Sequence, residues 1–370
     1  MGANKINPSR RLRVVAARGP VLIAAAWWLL TMPAAADQPH WDLYGRVNVS
    51  ADYLNDGDDG AVNFASNSSR IGLRGGQGLQ PGLELVWQVE QGVDIDRGGS
   101  EWASRNSYLG LRGGWGEVRL GQHDTPLKML RSAVDMSFSE SLGDTRNVFR
   151  SDAADGDPGD RAFDYDTRFK NSLLYLSPMA AGLQAALQYT TEAGSGGGTT
   201  DSANAAWSGS LSYTAGPVRL IAGHQRHDKD AEDSAGEGAP RVSRLGAKAS
   251  LGRWAFTVLA QRAKNQRGEK GADRTVFGGG AGYRAGDLTI QGQAFRAKSE
   301  TDADDTGADL FALGAEYRVT PETRVYGSVA AADNDDNAAF RISHGGRGAD
   351  VATVTGEDPW GIAFGLRHDF

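Results

Sequence analysis

Apolar and polar residues alternate along most of the chain. Between Asp42 and Asp52, Leu43, Gly45, Val47, Val49 and Ala51 alternate with Tyr44, Arg46, Asn48 and Ser50. This period of two predicts a strand with one apolar and one polar face. Leu83, Leu85, Trp87 and Val89 repeat the pattern, as do Leu183, Ala185, Leu187 and Tyr189, and Leu245, Ala247, Ala249 and Leu251. The last segment places Trp360, Ile362, Phe364, Leu366, His368 and Phe370 on one face. The polar faces carry Arg, Lys and Glu beside small residues. Such charges need partners in a dry core, whereas in a water-filled barrel they face the lumen. A soluble sandwich also alternates, with its polar face outward, so the connections have to decide.

Connections of two kinds alternate. Seven are short and rich in Gly or Pro: 75–82, 112–116, 177–182, 215–217, 251–253, 285–287 and 320–323. Eight are long, polar and often acidic: roughly 55–67, 92–103, 123–167, 191–205, 228–242, 265–274, 299–308 and 333–358. Together they join sixteen strands. Short turns at one end and long loops at the other is the layout of an outer-membrane barrel, and an even strand count puts both termini on the short-turn, periplasmic side. A sandwich has no reason to sort its loops by length. The predicted fold is all-β, a 16-stranded antiparallel transmembrane β-barrel, with no second domain. Gly194–Gly198 reads as a flexible loop tip.

The N-terminus adds an export signal. Lys5, Arg10, Arg11, Arg13 and Arg18 precede an apolar run from Val21 to Leu30, and Pro33-Ala34-Ala35-Ala36 precedes Asp37. A basic segment, a short apolar core and an Ala-x-Ala end predict a signal peptide over 1–36, cleaved after Ala36, with the barrel over 37–370. The apolar run is too short to span a membrane as a helix. Losing 1–36 removes five basic residues and no acid, so the formal charge moves from −7 to −12. An acidic protein of this kind argues against nucleic acid as a partner. With no cysteine, an exported chain needs stability from a source other than disulfides, and barrel closure supplies one.

These segments together resemble the general diffusion porins of Gram-negative bacteria, most closely their β-proteobacterial branch. Leu43-Tyr44-Gly45-Arg46 is similar to the family's first strand and Ser69-Arg70-Ile71-Gly72-Leu73-Arg74-Gly75 to its second. Asn171-Ser172-Leu173-Leu174-Tyr175-Leu176-Ser177-Pro178 resembles the branch's Asn-Ser-x-x-Tyr-x-Ser-Pro segment, and Gly365–Phe370 its ending. The resemblance implies a homotrimer in the outer membrane, in contact with lipid and lipopolysaccharide, passing small hydrophilic solutes through a water-filled channel. It also implies that the third loop, here about 123–167, folds inward and narrows the pore.

Within that loop, Asp135–Asp144 resembles the family's acidic constriction segment, one residue longer, with Asp135, Glu140 and Asp144 as its acids. The resemblance sets basic wall residues opposite: Arg46, Arg70, Arg105 and Arg168. Facing rows of opposite charge across a narrow gap make a transverse field that orders water and disfavours apolar solutes. Lys128, Arg131, Arg146 and Arg150 also lie on the loop. The chain's net charge argues for cations and the local basic excess for anions. Local charge prevails, because charges beyond a Debye length of about 10 Å are screened, and the balance leans to anions. In the resembling family, an aromatic at the end of the last strand is read by the barrel-assembly machinery, a role that falls on Phe370.

No catalytic constellation stands out, so no enzyme, cofactor or metal site is expected. His224 and His227, three apart, do not share a strand face. Asp56–Gly60 and Asp302–Asp305 read as solvated loop tips, with divalent-cation sharing with lipopolysaccharide as the other reading. Gly278-Gly279-Gly280 precedes no helix, and Asn67-Ser68-Ser69 is a sequon that arises often by chance. A solute-selective channel of the same fold, or a structural or adhesive barrel, are the alternatives to a diffusion channel.

Overall fold

The computed structural model describes residues 38–98, 102–136, 141–150, 165–192, 205–228, 238–266, 270–300, 305–343 and 353–370. The first strands are β1 (His40–Asn55), β2 (Gly60–Ser66), β3 (Arg70–Gln80), β4 (Leu83–Gly92), β5 (Ser107–Gly113) and β6 (Gly116–Asp124). Two short helices follow, α1 (Pro126–Val134) and α2 (Arg146–Phe149). The chain then runs through β7 (Arg168–Leu176), β8 (Leu183–Glu192), β9 (Ala206–Ala215), β10 (Val218–His227), β11 (Arg241–Leu251) and β12 (Trp254–Lys264). It ends with β13 (Asp273–Ala285), β14 (Leu288–Glu300), β15 (Ala308–Arg318), β16 (Thr323–Asn334) and β17 (Trp360–Asp369).

Every stave pairs antiparallel with its sequence neighbours, and β1 closes the ring on β17, from Arg46 opposite Asp369 to Asn55 opposite Trp360. On its other side β1 pairs with both β2 and β3, which are therefore one stave broken at Asn67–Ser69. The result is a closed barrel of sixteen staves. Closure pairs the backbone groups that an open sheet would leave at its edges, the condition for a β-structure in lipid. At the break Ser68 has a φ of 58°, and side chains restore the lost ladder. The Asn48 N–H donates to Ser69 Oγ (2.9 Å), and its side-chain amide donates to the Asn67 carbonyl (3.0 Å).

Two predicted connections are corrected. The first long loop, 55–67, is a tight turn at 56–59. Asp56 Oδ1 accepts the N–H groups of Asp58 (3.0 Å) and Asp59 (2.8 Å), and Gly57 takes a φ of 115°. Gly60–Ser66 is already strand, with Val62 and Phe64 exposed and Ala65 and Ser66 buried. The short turn read as starting at Gly75 begins only after Gln80. Gly75 lies inside β3 because a side chain there would meet the His40 carbonyl and the Trp87 ring.

The outer surface follows the predicted phase. Leu43, Leu109, Leu187, Leu245, Phe256, Phe311 and Phe364 are exposed, which makes an apolar band that only lipid or a neighbouring protein can cover. The inner-phase residues Asn48, Ser50, Gln188, Ser208 and Gln261 are buried in the single chain. They are covered in part by the segment between β6 and β7, called loop 3 below.

The described residues of loop 3 (125–136, 141–150 and 165–167) pack against the lumen-facing side of the wall. Thr125 caps α1, its Oγ1 accepting the Lys128 N–H at 3.2 Å, and Pro126 opens the helix where no N–H is needed. Leu127, Leu130 and Val134 fall on one buried face, each contributing roughly 2 kcal/mol of burial. That face packs on the inner side of β8–β12. Leu127 N–H donates to Ser208 Oγ (3.2 Å), Thr257 Oγ1 donates to the Val134 carbonyl (2.5 Å), and Gln261 donates to the Phe149 carbonyl (2.9 Å). Gln293 of β14 donates to the Gly143 carbonyl (2.6 Å), and Gly143 N–H reaches the Ile342 carbonyl beyond β16 (2.9 Å). The apolar core is thus the space between loop 3, the 338–342 segment and the β10–β16 wall, with Phe149, Phe295, Leu310 and Phe340 inside it.

Candidate functional site

The described part of loop 3 packs against one arc of the barrel wall, and the predicted wall arginines lie on the other arc. Arg46 is on β1, Arg70 opens β3, Arg105 lies just before β5, and Arg168 opens β7. They fall on one arc of consecutive staves, away from the β8–β14 arc that loop 3 covers. Strand phase brings them to one face. Arg46 and Arg70 are direct partners across β1 and β3, an arrangement that repels unless water or counter-charge intervenes.

Each wall arginine has its own company. Arg105 Nε donates to Glu90 Oε1 (2.5 Å), and the Tyr44 hydroxyl donates to the other oxygen of Glu90 (2.9 Å). Arg168 Nε lies 3.0 Å from Asp124 Oδ1 and donates to Asn106 Oδ1 at 3.2 Å. Arg46 Nε donates to Asp369 Oδ1 at 2.6 Å. Arg70 Nη1 reaches the Ser68 carbonyl at 3.4 Å. The wall and the loop meet at Asp124, where Lys128 Nζ lies 3.0 Å from the same Oδ1 that Arg168 approaches.

Asp135 and Asp144, expected to face the wall arginines, have basic partners nearer at hand. Arg131 of α1, on their own loop, takes them. Arg131 Nη1 donates to Asp135 Oδ2 (2.6 Å) and Thr145 Oγ1 (3.0 Å), lies 3.6 Å from Asp144 Oδ1, and its Nε donates to Asp166 Oδ2 (2.9 Å). Asp144 also holds Arg146 through two bonds of 3.0 Å. Asp166 binds Arg244 of β11 through its second oxygen (3.2 Å), and Arg244 stacks on the Phe149 ring (5.1 Å). A buried carboxylate needs a partner near at hand, and a helix offers one at i, i+4. Glu140 lies outside the described residues.

Burial and charge set the protonation of the loop groups. Burial pushes the Asp135 carboxyl up to about 6 against the pull of Arg131. Burial would raise Asp166 as well, but Arg131 and Arg244 outweigh it and hold it at about 2. Burial, with Arg168 nearby, pushes Lys128 down to about 8 in spite of Asp124.

Several residues of this arrangement escape sequence reading. Asp166 and Arg244 anchor the loop, and Glu90, Asp124 and Asp369 balance the wall. The inward phase of Glu90, Arg244 and Asp369 was readable from strand alternation, but their partners are set by barrel register. Phe370 lies on the outer face. It exchanges backbone bonds with Gly45 (2.8 and 3.1 Å), and its ring covers the place a Gly45 side chain would take. Among the described residues, no group of three or more His, Cys, Asp or Glu is placed to hold a metal.

The comparisons with known proteins agree with this architecture. The sequence profile of the Gram-negative porin family matches residues 21–337. Outer membrane porin protein 32 of Delftia acidovorans is 27% identical over 348 residues, covering 91% of this chain and 96% of that protein. The solved anion-selective porin from Comamonas acidovorans aligns with a TM-score of 0.76 at 25% identity, over 90% of this chain and all of that one. The fold is shared with OmpT of Vibrio cholerae in its trimer form, with a TM-score of 0.65 at 19% identity over 90% of this chain and all of that one. A closed sixteen-stave barrel with a polar, arginine-lined interior is a diffusion channel of the outer membrane, and the chain belongs to the Gram-negative porin family.

Proposed function

We propose that loop 3 and the Arg46, Arg70, Arg105 and Arg168 arc form the narrowest part of the channel, and that this constriction favours anions. One observation carries the reading: among the described residues, the loop acids Asp135, Asp144 and Asp166 each have a basic partner on or against the loop, while the wall arc holds more bases than acids. On the loop side Asp135, Asp144 and Asp166 meet Arg131, Arg146 and Arg244, three against three. Among the described residues, the wall's Arg46, Arg70, Arg105 and Arg168, with Lys128 of the loop beside Asp124, lie with Glu90, Asp124 and Asp369, five bases with three acids. Local charge within about 10 Å governs permeation, since more distant charge is screened. The formal −7 of the whole chain therefore does not set the sign. The Comamonas acidovorans structure, described as anion-selective, supports the same sign. Solutes are small and hydrophilic, and anionic ones pass faster than neutral ones of equal size. Reversal potential across a planar bilayer under a KCl gradient tests the reading, with chloride preference as the expected result.

The active form in this proposal is a homotrimer, supported by the trimeric neighbour and by the exposed apolar outer wall. Outer-membrane lipid and lipopolysaccharide cover the rest of that wall. Residues 1–36 serve as the cleaved signal peptide. Phe370 serves as the signal to the barrel-assembly machinery, supported by its place on the outer face at the β1–β17 seam. Terminal sequencing of outer-membrane protein tests the first point, with Asp37 expected as the first residue.

A further inference from the structure

On the inner face of the closing seam, three guanidinium groups from three staves converge on one carboxylate. Asp369 of β17 accepts from Arg46 Nε of β1 at 2.6 Å, lies 2.8 Å from Arg367 Nη2 of β17, and lies 3.6 Å from Arg324 Nη1 of β16. Arg367 Nε also donates to both oxygens of Asp369, at 3.0 and 3.3 Å. Arg324 is shared with Glu316 of β15 at 3.6 Å.

The register explains why so many like charges meet here. Arg324 and Arg367 are direct partners across β16 and β17, and Arg46 and Arg70 are direct partners across β1 and β3. Like charges placed opposite each other on one face repel. Asp369 is itself the direct partner of Arg46 across the closing seam, so its carboxylate falls in the middle of the row. The side chain keeps 31% of its surface exposed, in lumen-facing phase, where permeating ions meet it.

An arginine row with no counter-charge would bind anions tightly and release them slowly, and conduction requires release as well as entry. We propose that Asp369 is a specificity-determining residue of this channel: a built-in carboxylate that occupies the Arg46, Arg324 and Arg367 cluster and so weakens its hold on permeating polyvalent anions. The inference rests on the channel reading and not on the sign of its selectivity. Its test compares variants with the parent, so it fails or stands separately from that sign.

The decisive variant is Asp369→Asn, which keeps the shape and one acceptor oxygen and removes the charge. In planar bilayers its reversal potential in a KCl gradient moves towards anions. Inorganic phosphate blocks its chloride current at about a tenfold lower concentration than in the parent, the order expected when one charged hydrogen-bonding competitor is lost. Asp369→Glu keeps the parental values, and Arg324→Gln moves the reversal potential towards cations. If Asp369→Asn does not insert, Arg46→Gln and Arg324→Gln carry the test, each with a cation-ward shift and weaker phosphate block. The proposal is overturned if Asp369→Asn forms trimers with parental reversal potential and phosphate block. It is equally overturned if neither arginine variant shifts the potential. A change in heat stability alone, with permeation unmoved, also counts against it.

Discussion

Arg131 and Asp135 sit one helical turn apart on loop 3 and bond at 2.6 Å, so the acid that resembles the family's constriction carboxylate is neutralised from its own side of the pore. Its removal therefore matters less for permeation than removal of a wall charge. Asp135→Asn leaves Arg131 with Asp144 and Asp166, and its reversal potential moves only slightly towards anions. Arg105→Ser exposes Glu90 and moves it further, towards cations. Equal and opposite shifts in the two variants, read in the same salt gradient, would mean that Asp135 faces the lumen after all.

Asp166 ties the loop to the wall through Arg131 and Arg244. Asp166→Ala leaves two buried guanidinium groups short of an acceptor, a cost of about 3–5 kcal/mol. The barrel itself is held by its ladders, so trimers persist while loop 3 loosens. The expected signs are noisier single-channel current and protease cleavage within 125–167. A quiet, protease-resistant Asp166→Ala channel would show that the apolar face of α1 suffices to hold the loop.

The pH dependence follows from Lys128. Its ammonium group, pushed from an ordinary 10.5 down to about 8, loses its charge between pH 7 and pH 9. Anion preference therefore falls over that interval. The linked stability has a definite sign. A lysine whose folded value is depressed favours the folded loop fully above its ordinary value and loses that contribution as pH falls through about 8. Lys128→Gln flattens the permeation profile. A parental channel whose reversal potential is constant from pH 7 to pH 9 would exclude this assignment.

The proposed assembly role of Phe370 is tested at Phe370 and Gly45. A side chain at Gly45 would run into the Phe370 ring, so Gly45→Leu displaces the ring much as deletion of Phe370 removes it. Both variants lower the yield of inserted trimers, and Gly45→Leu costs about 1–3 kcal/mol by overpacking. Semi-native gels over a temperature series measure this. Parental yield and melting in both variants would remove Phe370 from the assembly pathway.

The barrel was legible in the sequence because alternation reports strand face directly. Asp42–Asp52 announced both the lipid-facing and lumen-facing residues of β1, and the two classes of connection counted the staves. Glycine misled where it serves packing: Gly75 reads as a turn but lies inside β3 under Trp87. The acidic run after Asn55 reads as a long loop, yet Asp56 folds it into four residues by accepting two backbone bonds. At the site, the resemblance supplied Arg70, Arg105 and Arg168, and alternation placed Arg46 on the polar face. Neither could pair them, because Arg46 and Asp369 are brought together by ring closure. The Arg131–Asp135 bond needs only one helical turn, signalled by Thr125-Pro126 before an apolar-periodic run, and reading α1 would have revealed it. Asp166 and Arg244 are joined only by the fold of loop 3 against β11.

The account's central claim is that a wall arc with more bases than acids, facing loop acids Asp135, Asp144 and Asp166 that already have basic partners, makes this an anion-preferring diffusion channel. The most direct test is the zero-current potential of purified trimers in a planar bilayer separating concentrated from dilute KCl. The account predicts the sign set by chloride, moved towards potassium by Arg105→Ser and, at higher pH, by loss of charge on Lys128. A potential of the sign set by potassium in the parental channel at neutral pH would contradict it.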